Sequence, residues 1–419
     1  MAKILDIVDQ RTGIVSKVYD LPQIPLRINT KLAVANKVID EKGNLIIHSN
    51  SGLGYSLTSK KDSEIKAVGE ALERYCALYF DNRKIKTGSY NTLKQYNRLD
   101  PLKVTGYQDW QYAEKGFKYQ KINHDTVFSW IEGEDVFSEN KIWIPTCLVH
   151  MHGDHQNIIR DMISTGLAAG SSKQQAFEGG VLESIERDAI MIMWLNELSM
   201  PIIDLNSIND NILQDAFKEC DKKNIKVFII DITTDLLTPT YFVVLVCETG
   251  FPVIATAAKT HYDYRKALRG AVEEAFIVFN HLYSAKKNGN AKYNDFTDYN
   301  NVGIEEHSLY YAFGDNRKAL DFLFQGEMIS LEKSIENKLD NFDSVLNLLK
   351  ELDLDVLCVD LTTEDVEHLG LKVFRTIIPE LAFLEYSYPM LKCERLVRVP
   401  KKLGYKTTGK FNSNPHPFP

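Results

Sequence analysis

Apolar residues in "SEIKAVGEALERYCALYF" (63–80) fall at Ile65, Val68, Leu72, Tyr75 and Leu78, the spacing of one buried helix face. Ser63, Lys66, Glu70 and Glu73 form the opposite stripe, with Thr58, Ser59 and Asp62 as candidate N-caps. A second helix is predicted through "SSKQQAFEGGVLESIERDAIMIMWLNEL" (171–198), capped at Ser171 or Ser172. Its "AIMIMW" segment is apolar on every side, so that end is expected to be buried. Three closely spaced apolar runs, 226–235, 240–249 and 252–260, predict strands joined by turns at Thr238-Pro239 and Gly250. A helix over 263–282, a polar loop over 285–303, a helix over 331–352 and strands over 354–365 and 371–381 complete the pattern. The fold class is mixed α/β.

Two pairs of segments echo each other. "GEALERYCA" and "LESIERDAI" share E-x-x-E-R, starting at Glu70 and Glu183. "VFIIDITTD" and "VLCVDLTTE" share an apolar strand running into D-(I/L)-T-T-(D/E), from Asp231 and Asp360. These echoes predict a degenerate internal duplication. Composition then narrows the class. With 419 residues, 44% apolar and 25% charged, the chain reads as an ordinary globular protein. A net charge of −8 argues against a broad nucleic-acid surface. The longest apolar run found, "YFVVLVC" (241–247), is too short for a membrane span, and "MAKILDIVDQ" lacks a signal-peptide core. Six scattered cysteines without a C-x-x-C pair read as reduced core thiols, and the expected compartment is the cytoplasm.

In E-x-x-E-R the acids stand three positions apart on one helix face, their Cβ atoms roughly 5–6 Å from each other. For one such motif alone, a solvated face is the simpler reading. The second copy, however, lies in a helix that reads as buried, and unpaired buried charge costs several kcal/mol. Glu70, Glu73, Glu183 and Glu186 converging from two helices would hold Mg²⁺ through oxygen ligands. Arg74 and Arg187 would then take a phosphate or a neighbouring acid.

The common nucleotide signatures are absent: there is no G-x-x-x-x-G-K-(S/T), and "SGLGYS" (51–56) is no complete G-x-G-x-x-G. "STGLAAGSS" (164–172) opens the second helix, where its N–H groups would face a phosphate if it were more than a turn. Gly179-Gly180 inside that helix predicts close approach of a backbone or a ligand. "HMHGDH" gathers His150, His152 and His155; a surface loop is the expected reading, with metal binding as the alternative.

Together, "GEALERYCA", "STGLAAGSSKQQAFEGGVLESIERDA" and the final "NPHPFP" resemble the YcaO superfamily, in its branch of azoline-forming peptide cyclodehydratases. The resemblance covers nearly the whole chain. It implies one YcaO-type ATP-binding domain over 1–419, with halves 1–165 and 166–411 and a tail, 412–419, entering the active site. By motif match, Glu70, Glu73, Glu183 and Glu186 are implied Mg–ATP ligands, Arg74 and Arg187 support them, and Ser171 falls at a nucleotide-contact position. A later helix matches through "ALRGAVEEAFI" with Glu274 as its acid. Gly270 stands there in place of the usual Arg and Ile277 in place of the usual Gln, with Arg269 as a possible substitute; Leu53 stands where many members carry lysine.

The implied reaction is attack of a Cys, Ser or Thr side chain of a ribosomally made precursor peptide on the preceding backbone carbonyl. The amide oxygen is phosphorylated by ATP with Mg²⁺, and phosphate leaves as the azoline closes. A base must remove the nucleophile's proton, and the resemblance proposes the C-terminal carboxylate, here that of Pro419. Pro415, Pro417 and Pro419 would stiffen the tail into a rod; read alone, it would be a loose end or a proline-rich ligand. The first motif begins too early to leave room for an E1-like (ThiF-like) leader-binding domain, so a separate partner of that kind is expected. A flavin-dependent azoline dehydrogenase and a homodimer are further expectations. The alternatives are a thioamide- or amidine-forming YcaO enzyme, and a non-catalytic scaffold that binds precursor or partner.

Overall fold

The computed structural model describes residues 2–36, 51–153, 155–292 and 303–418. A meander of β1 (Val15–Asp20), β2 (Asn29–Ala35) and β3 (Ser51–Ser56) forms a three-stranded antiparallel sheet. Helix α1 (Lys60–Leu78) follows, capped by the Ser59 side chain, which accepts from the Asp62 N–H. It lies directly on β3, because β3 presents glycines to it. A Cβ at Gly52 would stand 2.1 Å from the Ala67 carbonyl oxygen, and one at Gly54 1.8 Å from that of Ser63. The two glycines of "SGLGYS" therefore serve helix–strand contact.

Strands β4 (Lys86–Ser89), β5 (Val127–Asp135), β6 (Lys141–Pro145) and β7 (Leu167–Gly170) lead to α2 (Lys173–Leu195), which is capped by Ser172. The buried sheet of the C-terminal region runs β11-β10-β9-β8-β12, from β8 (Ile202–Ile203), β9 (Ile225–Asp231), β10 (Thr240–Cys247), β11 (Ile254–Thr260) and β12 (Met328–Ile329). Its helices are α3 (Asn211–Lys222), α4 (Tyr264–Lys287) and α5 (Ile304–Ala312). After α6 (Leu331–Ile335) and α7 (Phe342–Glu351), strands β13 (Leu357–Asp360) and β14 (Lys372–Ile377) flank α8 (Glu364–His368). They return to the earlier strands, giving a sheet ordered β4-β5-β13-β14-β7 with β6 on β5. That sheet takes strands from both sides of residue 165. Helix α9 (Arg395–Lys402) precedes the C-terminal tail.

The echoing D-(I/L)-T-T segments share a local cause. Asp231 Oδ1 accepts the Thr233 N–H at 3.0 Å, and Asp360 Oδ1 accepts the Thr362 N–H at 2.9 Å. Each aspartate so turns the chain out of its strand, which ends β9 and β13 well before the sequence-based limits of 235 and 365. Gly179 and Gly180 do mark a close backbone approach: a Cβ at Gly180 would lie 2.5 Å from the Gly166 carbonyl oxygen.

Two expectations are corrected. The single helix over 331–352 is two short ones. Asn337 has φ of 62°, and the Leu339 N–H bonds the Leu237 carbonyl at 2.8 Å, drawing the chain out of helix until Asn341 caps α7. The His150 loop is not a surface feature. His150 is 3% exposed, packed edge-on against Phe80 with ring centroids 5.0 Å apart, and neither ring nitrogen has a hydrogen-bond partner among the described residues. Burial, with help from His155 and Arg375, pushes its pKa down to about 3. All six cysteines are buried and free. No described helix is long and apolar enough to cross a membrane.

Two stability measurements test this packing. Gly54→Ala has to push α1 off β3 and is expected to cost about 2 kcal/mol or more. Gly69→Ala, in α1 with nothing nearer its Cβ than Ile4 Cδ1 at 3.8 Å, is expected to gain about 0.5–1 kcal/mol. Equal urea midpoints for the two variants would contradict the contact. For His150, the folded chain stays neutral while the unfolded chain takes a proton below pH ~6.5. Its contribution is therefore complete above that pH and is lost as the pH falls toward 3. Relative to His150→Leu, the wild type should lose up to about 1.4 kcal/mol per pH unit below 6.5, read from urea unfolding of both at each pH.

Candidate active site

Three helices and three strands alternate around one group of acids: β3, α1, β7, α2, β11 and α4, with α4 packing back on β3. Glutamates fasten the ring. Glu70 Oε2 accepts the Leu53 N–H of β3 at 2.5 Å, and Glu73 Oε1, on the other flank of α1, accepts the Ala169 N–H of β7 at 2.8 Å. Helix α2 repeats the device: Glu183 Oε2 accepts the Gly166 N–H beside β7 at 3.1 Å, and Glu186 Oε2 accepts the Thr260 N–H of β11 at 2.8 Å. From α4, Glu273 Oε1 accepts the Leu57 N–H just beyond β3 at 2.8 Å. The i, i+3 spacing thus lets one helix reach two strands.

This changes the reading of "STGLAAGSS". Its N–H groups at Gly166, Ala169 and Ser171 are taken by Glu183, Glu73 and Gln175 respectively, and its middle is a strand rather than a phosphate-cradling loop. Ser171 is exposed, with N–H and hydroxyl both bonded to Gln175 Oε1; among the described residues nothing ties it to the acids.

The cations are mostly committed. Arg74 donates to Glu70 Oε1 at 2.6 Å and to the Ser51 carbonyl at 2.8 Å. Lys66 donates to Glu273 Oε2 and the Tyr55 carbonyl, both at 2.9 Å. Arg187 Nη2 lies 3.3 Å from Glu183 and its Nη1 3.7 Å from Glu186. Arg269 is not available as the substitute cation: its Nε is held at 2.6 Å by Asp210, the N-cap of α3. Ile277 is buried.

The balance is acidic: Glu70, Glu73, Glu183, Glu186, Glu273 and Glu274 face Arg74, Arg187, Lys66 and Lys259. Burial, with Glu70 and Glu183 nearby, pushes Glu73 up to about 8. Burial and Glu186 push Glu274 up to about 7 against the pull of Lys259 and Arg187. Burial also raises Glu70, opposed chiefly by Arg74. Burial works against the Arg187 charge, but Glu186, Glu183 and Glu274 outweigh it and hold its pKa above the usual value. Among the described residues, no three His, Cys, Asp or Glu side chains by themselves form a cage for a metal ion. The four motif acids are therefore brought to one place without making a closed site. Oxygen donors short of positive charge suit Mg²⁺ that completes its shell with phosphate oxygens. Arg187 Nη1, buried without a hydrogen-bond acceptor, suits an added anion. The residues present fit a magnesium nucleotide.

The tail reaches this place. Asn412 donates to the Leu195 carbonyl at 2.7 Å, and the Asn414 carbonyl accepts from Trp194 at 3.0 Å. The carbonyls of Pro415, His416 and Pro417 then meet Tyr311, His307 and Thr256 at 2.6, 2.9 and 2.6 Å. The segment runs back along α2, and the Phe418 ring, 1% exposed, covers the Arg187 guanidinium at 4.3 Å. Pro419 lies outside the described residues. The sequence reading set Lys66 on the stripe of Glu70 and Glu73 without giving it a role, and it passed over Lys259 and Glu273, for which the lone lysine in apolar "PVIATAAKT" and the doubled acid in "ALRGAVEEAFI" were the available signals.

Comparisons with known proteins agree with this fold. A heterocyclase in complex with substrate and cofactor superposes on the whole chain with a TM-score of 0.79 at 21% identity. The chain spans 56% of that protein's length. YcaO from Methanopyrus kandleri bound with AMPPCP and Mg²⁺ matches 92% of this chain and 90% of that one, TM-score 0.62, 16% identity. The E. coli microcin synthetase McbBCD complex with pro-MccB17 bound contains a chain matched over 98% of this one and 99% of its own length, TM-score 0.64, 15% identity. These likenesses concern the fold. In sequence, an uncharacterized protein in the tfuA 3' region of Rhizobium leguminosarum bv. trifolii is 28% identical over 120 residues, 28% of this chain and 29% of that relative. The model of the YcaO cyclodehydratase family, described as ATP- and Mg²⁺-binding, matches residues 54–382, and the chain belongs to that family.

Proposed function

We propose that this chain is an ATP- and Mg²⁺-dependent cyclodehydratase that converts Cys, Ser or Thr residues of a ribosomally made peptide to azolines. The observation that carries the reading is that both E-x-x-E-R helices set an acid on the β7 segment, Glu73 on Ala169 and Glu183 on Gly166, while Phe418 of the proline-rich tail covers Arg187 of the second motif. Glu70, Glu73, Glu183 and Glu186 would hold magnesium, with Glu274 beside them; each motif acid keeps lone pairs beyond the one used by its strand N–H. Bound ATP supplies the phosphoryl group that activates the amide oxygen for departure.

The chain's own contribution is placement and proton transfer. Arg187 orients Glu183 and Glu186 and offers Nη1 to a phosphate oxygen. Phe418, itself buried, covers one face of that guanidinium. The tail then carries the Pro419 carboxylate as the group that takes the nucleophile's proton. A precursor peptide and a separate leader-binding partner belong to this reading. They are supported by family membership and by the peptide-bound complex that shares the fold.

Incubation with precursor, partner, Mg²⁺ and ATP should remove one water mass per ring formed. No ATP use and no mass change with a competent partner would refute the enzyme reading. Glu183→Ala is expected to lower turnover about 100-fold or more, and wild-type turnover would remove Glu183 from the metal site. Phe418→Ala should leave the chain folded, as judged by its melting transition, and slow ring formation about 10-fold or more by loosening the tail over Arg187. An unchanged rate would reduce the tail to packing.

A further inference from the structure

Position 270 lies on the face of α4 turned to β11, one helical turn before Glu274. A Cβ added to Gly270 would stand 2.7 Å from Lys259 Cγ and 3.3 Å from Lys259 Cβ and Cδ, inside the ~3.5–4.0 Å at which carbon atoms rest. Any larger residue there must displace the lysine stem. With glycine, the stem lies flat against α4 and its ammonium points toward Glu186, Nζ 3.8 Å from Oε2. The Lys259 side chain is 41% exposed while that of Glu186 is 2% exposed, so the lysine forms the edge of the acid group, with its ammonium turned inward to Glu186.

Its commitments differ from those of its neighbours. Arg74 and Lys66 each hold a carboxylate and a main-chain carbonyl by hydrogen bonds. Arg187 is shared between two acids and covered by Phe418. The Lys259 ammonium makes no hydrogen bond among the described residues, and its one ion pair is the long contact to Glu186. An ammonium carries three donors, and here all three remain for a ligand. An accessible cation at the rim of an acidic group suits the oxygens of a phosphate chain. It neutralises them as a point charge while the acids take the metal.

We propose that Lys259, admitted by Gly270, is a phosphate-binding residue of the nucleotide pocket, supplying from β11 the cation that α4 lacks at position 270. This rests on the ATP–Mg²⁺ reading above and assigns one contact within it.

Calorimetric titration with Mg·AMPPCP tests it without turnover, each variant's melting transition first establishing that it is folded. The wild type should bind. Lys259→Met should weaken binding about 10- to 100-fold, the range for a charge-assisted hydrogen bond. Lys259→Ala should weaken it similarly. Adding Gly270→Arg to Lys259→Ala should recover most of the loss, since the small residue at 259 leaves space for a cation four positions before Glu274. If the wild type binds and Lys259→Met binds equally well, Lys259 is not a phosphate contact. If the double variant stays as weak as Lys259→Ala, a positive charge at this place is not what binding requires. A wild type that does not bind Mg·AMPPCP would overturn the ATP reading itself.

Discussion

A glutamate carboxylate accepting the N–H of a strand is the interaction on which this site rests. It occurs at Glu70, Glu73, Glu183, Glu186 and Glu273. Each bond satisfies a main-chain donor beside a helix–strand contact, and a charge-assisted bond of this kind contributes about 1.5–3 kcal/mol. Each also fixes one carboxylate oxygen, so the direction of the second oxygen follows from the backbone. The acids are thereby part of the frame that joins α1, α2 and α4 to β3, β7 and β11. Binding chemistry and helix placement cannot be separated here. Losing an acid also leaves a strand N–H without its partner.

The same arrangement explains why the acids resist ionisation. Packing them on strands buries them, and the i, i+3 spacing sets like charges side by side. Arg74 and Arg187 relieve only part of this. The raised pKa values of Glu73 and Glu274, about 8 and about 7, come first from burial and then from neighbouring acids, which add a shortage of positive charge. A divalent ion reverses that shortage.

The helices carrying E-x-x-E-R were legible in the sequence, the first by its helical period and the second by its serine cap and its all-apolar end. So were the strands from 226 to 260, which are apolar and bounded by turn residues. What escaped depends on contacts between distant segments. Nothing local in "ALRGAVEE" reveals that Gly270 makes room for a lysine of β11, or that Arg269 is held at the cap of α3. The helix expected over 331–352 fails because Leu339 pairs with Leu237 across the fold. His150 read as part of a surface loop because its burial against Phe80 is set by residues far from "HMHGDH".

The tail joins residues at opposite ends of the folding problem. Trp194 and Asn414 bond across 220 residues of chain, and Phe418 sits in the same core cluster as Trp194, Tyr311 and Leu396. Contacts of such long separation give a chain little early reward for closing the loop. The elements that carry the acid ring lie between β3 and α4, and residues 412–418 are laid over it from the far end of the fold. Lifting Phe418 from α2 would uncover the Arg187 guanidinium and leave the glutamate bonds to the strands in place. The charges of the site and the cover over them are thus held by separate sets of contacts.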